Sequence, residues 1–308
     1  MSNAMNYNFN IVEVDKKVSY YEIREFNNLY EILSFLLALR LPVPIDYYKD
    51  FNWYKCLLKD ESDIRKKILP TEKEQNKNQF WSFRGQKNED WFLSITPHTE
   101  NYGKHLLYEE WFKQYKKRMV ALRGEPDHID KENDWNWLFY AKHHDLYTRL
   151  LDWSSNPLIA IYFAVENITL NQNNKKSALW ALKVDRNHFC SVDELPRPYN
   201  GLSPAKGIFK GLKADNQEWF MVNPEPVTNR IVIQSGKFTF HCGNKPKPID
   251  KIPRRDGETL IKLVINYDAH DTIRKQLGVM NIHHASLFPS PSGIACFVSK
   301  EWPDIAKY

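Results

Sequence analysis

From Glu22 to Arg40 the chain reads EIREFNNLYEILSFLLALR, with Phe26, Leu29, Tyr30, Leu33, Leu36 and Leu37 at helical spacing. This pattern predicts a helix over 22–40, stopped by Pro42 and Pro44. Residues 45–79 turn polar and then strongly charged, ending in TEKEQNKNQ, which predicts an exposed loop. A buried strand opens at Phe80 and ends at Arg84-Gly85. EEWFKQYKKRMVAL, residues 109–122, predicts an amphipathic helix with acid at its start and base toward its end, as the helix dipole favours. A turn with Gly124 and Pro126 separates it from a helix capped by Asp134 and running toward His143.

YTRLLDW, residues 147–153, predicts a short strand. Ser154-Ser155-Asn156-Pro157 is a helix start with proline at the first helical position. LIAIYFAVENI, residues 158–168, is apolar nearly all round and predicts a buried helix. The polar turn NQNNKK leads to a strand over 177–184, and residues 185–229 show no clear period. RIVIQSGKFTFH, residues 230–241, predicts two strands joined at Ser235-Gly236, and residues 260–267 predict another. Asp271 is the expected cap of a helix ended by Gly278, and a closing helix is expected from Ser292. The sum is an α+β fold, a central mixed β-sheet flanked by helices. It divides into an N-terminal helical region with its charged loop, residues 5–75, and a core domain, residues 76–308. Ser2-Asn3-Ala4 before Met5 reads as an expression-tag remnant and is left out of the fold.

Composition narrows the function classes. The 308 residues are 42% hydrophobic and 26% charged, ordinary values for a globular protein. No apolar run reaches the ~18 residues of a membrane helix, and the N-terminus has no leader pattern, so a cytoplasmic location without membrane contact is expected. Cys56, Cys190, Cys242 and Cys296 stand far apart without a CxxC pair, which excludes zinc-ribbon and thioredoxin chemistry and suggests reduced thiols. The net charge of +5 is scattered along the chain. It suits a small anionic ligand or nucleotide and leaves nucleic acid open as a partner.

FWSFRGQ, residues 80–86, places one arginine inside an aromatic run. Arg84 suits bidentate grip of a phosphate, with Phe83, Gly85 and Gln86 beside it and Gly85 permitting close approach. The same arginine also suits a buried ion pair, with Asp152 as the acid. Thr148 and Asp152 share a strand face and are candidates to line a pocket, and Arg149, on the other face, is a further ligand-binding candidate. Ser154 suits an anion site at the helix start or a plain cap. Adjacent His143 and His144 point apart, and no HExxH is present, so no metal is assigned and His143 reads as structural or as a general base. Gln234 suits an amide or adenine edge, or a hairpin backbone bond, and Gly236 a bulge or close ligand approach. The tryptophans suit a stacking box or simply a core.

Taken in order, FRG (Phe83 to Gly85), HHDLYTRLLDWSSNPLIAIYFA (143–164), IQSGKFTFH (233–241) and LGVMNIHHASLFPSPSGIA resemble the FRG domain, over roughly residues 22–300. The family pattern favours Gln, Gly and Pro where this chain has Lys142, Asp145 and Tyr147, and often Pro-Asp where it has Pro289-Ser290. His143 matches the family's histidine. The layout is also similar to ADP-ribosyltransferases, by analogy only. That likeness implies NAD as substrate, Arg84 on the diphosphate, and an acid at an oxocarbenium-like centre. The late strand offers Gln234 in place of glutamate, so Asp152 would serve as the acid, and His143 is a separate catalytic candidate. The alternative is a non-catalytic module that senses a nucleotide or nucleic acid.

Overall fold

The computed structural model describes residues 8–40, 48–59, 68–69, 80–95, 108–123, 133–166, 175–184, 189–191, 218–242 and 246–305. In chain order the described strands are β1 (Phe9–Val14), β2 (Lys17–Phe26), β3 (Phe80–Gln86), β4 (Leu150–Ser154), β5 (Ser177–Val184), β6 (Phe189–Ser191), β7 (Trp219–Asn223), β8 (Gly236–His241) and β9 (Thr259–Ile265). The described α-helices are α1 (Leu29–Arg40), α2 (Asn52–Lys59), α3 (Tyr108–Arg123), α4 (Asp134–His143), α5 (Pro157–Val165), α6 (Asn229–Ile233), α7 (His270–Val279), α8 (His284–Leu287), α9 (Pro291–Lys300) and α10 (Trp302–Ile305). The class is α+β, with mixed strand pairing and helices packed on the sheet, as the hydrophobic pattern predicts.

The chain forms two compact units. The first takes in Met1–Trp91, Asn156–Arg186 and Pro253–Tyr308, and the second Phe92–Ser155 and Asn187–Ile252. In the first unit, β2 pairs in parallel with β9, while β1 with β2, β9 with β5, and β5 with β3 are antiparallel. Its core joins α1, α5 and α7 to the sheet through residues such as Phe26, Phe35, Phe83, Ile161, Leu263 and Ile273. The N-terminal strands therefore belong to the same unit as the C-terminal strand. In the second unit β4 pairs with β8 and β8 with β7, both antiparallel, and β7 pairs with β6 in parallel. Phe139 of α4, Leu150, Phe238 and Phe240 fill its core, with Phe139 and Phe238 stacked at 5.3 Å.

Several elements differ from the sequence reading for identifiable reasons. Residues 22–26 are strand, because Asn28 starts the helix: its Oδ1 accepts the Glu31 N–H at 2.8 Å. The run RIVI is helix rather than strand, since Thr228 caps it and only Ile231 among its apolar residues is buried. Asn133, not Asp134, caps α4, and Asp134 instead holds Lys116 at 2.8 Å. Asn156, not Ser154 or Ser155, caps α5. Asp271 makes no cap but pairs with Arg274 and Lys275, both at 2.7 Å. The closing helix starts at Pro291 with Ser290 as its cap. Helix α2 is an element that the pattern over residues 45–79 does not predict. The charged segment 71–79, Pro42, Pro44, Gly124 and Pro126 lie outside the described residues, as do 185–188 and 192–217.

Candidate functional site

The sequence-predicted residues fall in both units, four of them on β3 and the others on and around β4. On β3, strand alternation turns Trp81, Phe83 and Gly85 toward the helical side and Ser82, Arg84 and Gln86 to the other. Phe83 is fully buried in the first unit's core. A Cβ on Gly85 would lie 2.0 Å from the Ala160 carbonyl oxygen and 2.4 Å from the Ala164 nitrogen. The space over this glycine is thus filled by the backbone of α5, which corrects the expectation that it admits a ligand. Gln86 is buried and accepts the Trp180 indole N–H at 2.7 Å. Arg84 is half-buried and stands opposite Trp180 in register. The register continues from Trp180 to Lys262 and from Lys262 to Glu22. Lys262 holds Glu22 at 2.9 Å, and Arg24 joins Glu22 to Glu89. Burial works to raise the Glu22 pKa, but the Lys262 and Arg24 contacts outweigh it and hold the carboxyl below its usual range. Arg84 therefore shares a sheet face with an internally compensated ion row.

The second unit brings most of the other candidates together around β4. Leu150, Asp152 and Ser154 alternate onto one face. Leu150 enters the core, and Asp152 pairs in register with Phe238. The Asp152 side chain remains 47% exposed, and Lys142 from the last turn of α4 reaches it at 3.1 Å. The neighbouring His143 places Nδ1 2.7 Å from the Thr228 hydroxyl, and its carbonyl accepts from the Arg230 guanidinium at 3.0 Å. The His143 pKa is lowered to about 4, first by burial, with Arg230 and Lys142 adding to the effect and the Asp152 carboxylate opposing it. At neutral pH the imidazole is uncharged, with a carboxylate and two cations close enough to act on it.

The end of α4 explains how this cluster is held. Asp145 has φ of 62°, its N–H bonds the Lys142 carbonyl at 3.2 Å, and the Leu146 N–H bonds the Ala141 carbonyl at 3.1 Å. This is the left-handed helix closure that ordinarily uses glycine, and Asp is among the few residues that tolerate it. Leu146 packs on the second unit's core beside it. The chain leaves α4 at a fixed angle, so Lys142 and His143 are presented at the edge of β4.

The remaining candidates serve the scaffold. Thr148 is buried and its hydroxyl accepts the Leu150 N–H at 3.2 Å. Arg149 is buried and donates to the His241 carbonyl at 3.2 Å, while the His241 N–H bonds the Arg149 carbonyl. On that opposite face Trp153 donates to Thr239 at 3.0 Å. Ser154 donates its hydroxyl to the Gln234 carbonyl at 2.7 Å, joining β4 to the turn before Gly236. A Cβ on Gly236 would meet its nearest neighbour at 3.4 Å, an ordinary contact, so close packing does not require this glycine. Sequence reasoning missed Thr228, Arg230 and Lys142 as members of the cluster. A sequence signal did exist for Thr228: a threonine before Asn-Arg-Ile is a cap pattern.

Among the described residues no group of three or more His, Cys, Asp and Glu side chains is placed to hold a metal, and no helix is long and apolar enough to cross a membrane. The cluster combines a carboxylate that can accept from hydroxyls, cations that can hold an anion, and a neutral imidazole. It defines an α+β protein with a polar candidate site. A family model described as FRG domain matches residues 79–173, so the chain carries an FRG-domain segment there. The matched segment takes in both the Phe83–Gly85 motif and the Thr148–Pro157 motif, while IQSGKFTFH and the last motif lie beyond it. No curated protein and no solved structure matches the chain.

Proposed function

We propose that this FRG-domain protein binds a phosphorylated sugar of the nucleotide class at the Asp152–His143–Arg230 cluster, as a recognition module. The observation that supports the reading is the half-exposed Asp152 carboxylate, set among Lys142, Arg230 and an uncharged imidazole within one unit. A carboxylate accepts two hydroxyl donors, which fits a ribose diol, and the neighbouring cations suit its phosphate. His143 is a weak base at neutral pH, since an efficient general base titrates near the working pH. The Lys142 contact also tempers the negative charge that an oxocarbenium centre would need. Both features favour binding over turnover. Arg84 belongs to the first unit, and the second unit's cluster is proposed without it.

A second reading is NAD cleavage of the glycohydrolase or ADP-ribosyltransferase kind. The observation in its favour is that Asp152 stays accessible beside a partly enclosed imidazole. Calorimetric titration with ADP-ribose and with NAD, alongside an assay for released nicotinamide, separates the two. Binding of ADP-ribose that weakens roughly tenfold in Asp152→Asn, about 1.4 kcal/mol, with no nicotinamide released, is the expected result. Nicotinamide release abolished by Asp152→Asn would establish the catalytic reading. No binding of either compound would overturn both.

A further inference from the structure

We infer that Thr228 is a positioning residue that fixes His143 as its Nε2–H tautomer, so that the imidazole offers the ligand a hydrogen-bond donor and not a basic nitrogen. The inference deepens the proposed binding role and rests on it for the ligand, though the tautomer itself is a property of the free protein. Thr228 caps α6: its Oγ1 accepts the Ile231 N–H at 3.2 Å. The same oxygen lies 2.7 Å from His143 Nδ1. A hydroxyl has one hydrogen to give and two lone pairs to receive with. If Nδ1 carried the ring hydrogen, Oγ1 would accept from two N–H groups at once. Its own hydrogen would then need a third acceptor, turned away from both.

Donation of the Thr228 hydroxyl to Nδ1 satisfies the cap, the hydroxyl and the ring nitrogen in one arrangement. Burial is the main cause that keeps the ring singly protonated. Arg230 donates to the His143 carbonyl at 3.0 Å and acts on the ring together with Lys142 and His144, against the Asp152 carboxylate. Phe238 packs 5.8 Å from the imidazole as its aromatic neighbour. With Nδ1 accepting and the ring neutral, the hydrogen must sit on Nε2. An Nε2–H donor suits a phosphate or sugar oxygen. A bare Nε2 would suit proton abstraction. Thr228 thereby selects recognition over base chemistry without touching the ligand.

The test is a two-bond proton–nitrogen correlation spectrum of the full chain with nitrogen-labelled histidine, at neutral pH and without ligand. The His143 signals are assigned by their loss in His143→Gln. The expected spectrum shows Nε2 protonated and Nδ1 bare, unchanged in Thr228→Ser. Thr228→Asp keeps a capping oxygen but has no hydrogen to give. It is expected to move the hydrogen to Nδ1 and to shift the His143 titration midpoint upward. Wild-type protein with Nδ1 protonated overturns the inference, even if neither variant folds. A tautomer unchanged in a folded Thr228→Asp protein also overturns it, because Thr228 would then be a cap alone. Since the spectrum is read without ligand, failure here is distinct from failure of ADP-ribose to bind.

Discussion

Strands β3 and β4 come from the same matched segment, and they put their conspicuous residues to opposite uses. On β3 the motif residues build the unit: Phe83 is sealed in the core, Gly85 admits the backbone of α5, and Gln86 satisfies the Trp180 indole. On β4 the neighbours of Asp152 are likewise scaffold, with Leu150 in the core and Trp153 bonded inward to Thr239. Asp152 itself is left half-exposed among charges. The two units also each hold a histidine whose pKa is lowered to about 4, mainly by burial. His270 in the first unit is bonded to the fully buried Ser177 at 2.8 Å. His143 is surrounded by Asp152, Lys142 and Arg230. Burial alone therefore does not mark a site. What sets the second unit's histidine apart is the half-exposed Asp152 carboxylate with Lys142 paired to it at 3.1 Å.

The largest expected effect breaks the comparison on the scaffold side. Gly85→Ala forces a methyl into the α5 backbone and should cost roughly 3–5 kcal/mol, or abolish folding, in denaturant titration. A loss under about 1 kcal/mol would mean that α5 moves freely and that Gly85 is available for another role. Next comes acidification. The His270 pKa falls from 6.5 unfolded to about 4 folded, mainly through burial. Its contribution is fully present above 6.5 and is lost as pH falls through the window down to about 4, amounting to about 3 kcal/mol. The unfolded chain binds the proton first, so stability declines toward acid. His270→Asn should flatten that decline, whatever its effect at neutral pH. An unchanged slope would show that His270 is not held neutral by the fold.

The site side carries smaller effects on stability and larger ones on binding. Arg230→Ala should weaken ADP-ribose roughly tenfold, about 1.4 kcal/mol. A drop in stability with affinity intact would make Arg230 a brace for the His143 carbonyl alone. The smallest effect sharpens the role of the α4 closure. Asp145→Gly relieves a left-handed residue and should stabilise the protein by about 1 kcal/mol in thermal unfolding.

Much of the fold was legible in the sequence because local patterns dominate there. The bounds of β5 and the start of α5 follow directly from SALWALKV and Asn156-Pro157. The helix at Asn229–Ile233 was not legible, since Ile-Val-Ile carries a strand preference that a threonine cap and a single buried face override. The candidate site was half legible. Asp152 and His143 stood out as chemistry-bearing residue types. Their partners Lys142, Thr228 and Arg230 reach them through the α4 closure and the α6 cap, which bring distant segments together without a shared motif. Gly85 misled for a related reason. A glycine permits close approach, but the sequence does not say whether ligand or helix approaches.

The most direct test of the central claim is a calorimetric titration of ADP-ribose into wild-type and Asp152→Asn protein, run beside thermal unfolding of both. Saturable binding that weakens about tenfold in a variant of unchanged stability is the predicted result. Equal affinity in the two proteins would contradict the placement of the ligand at Asp152.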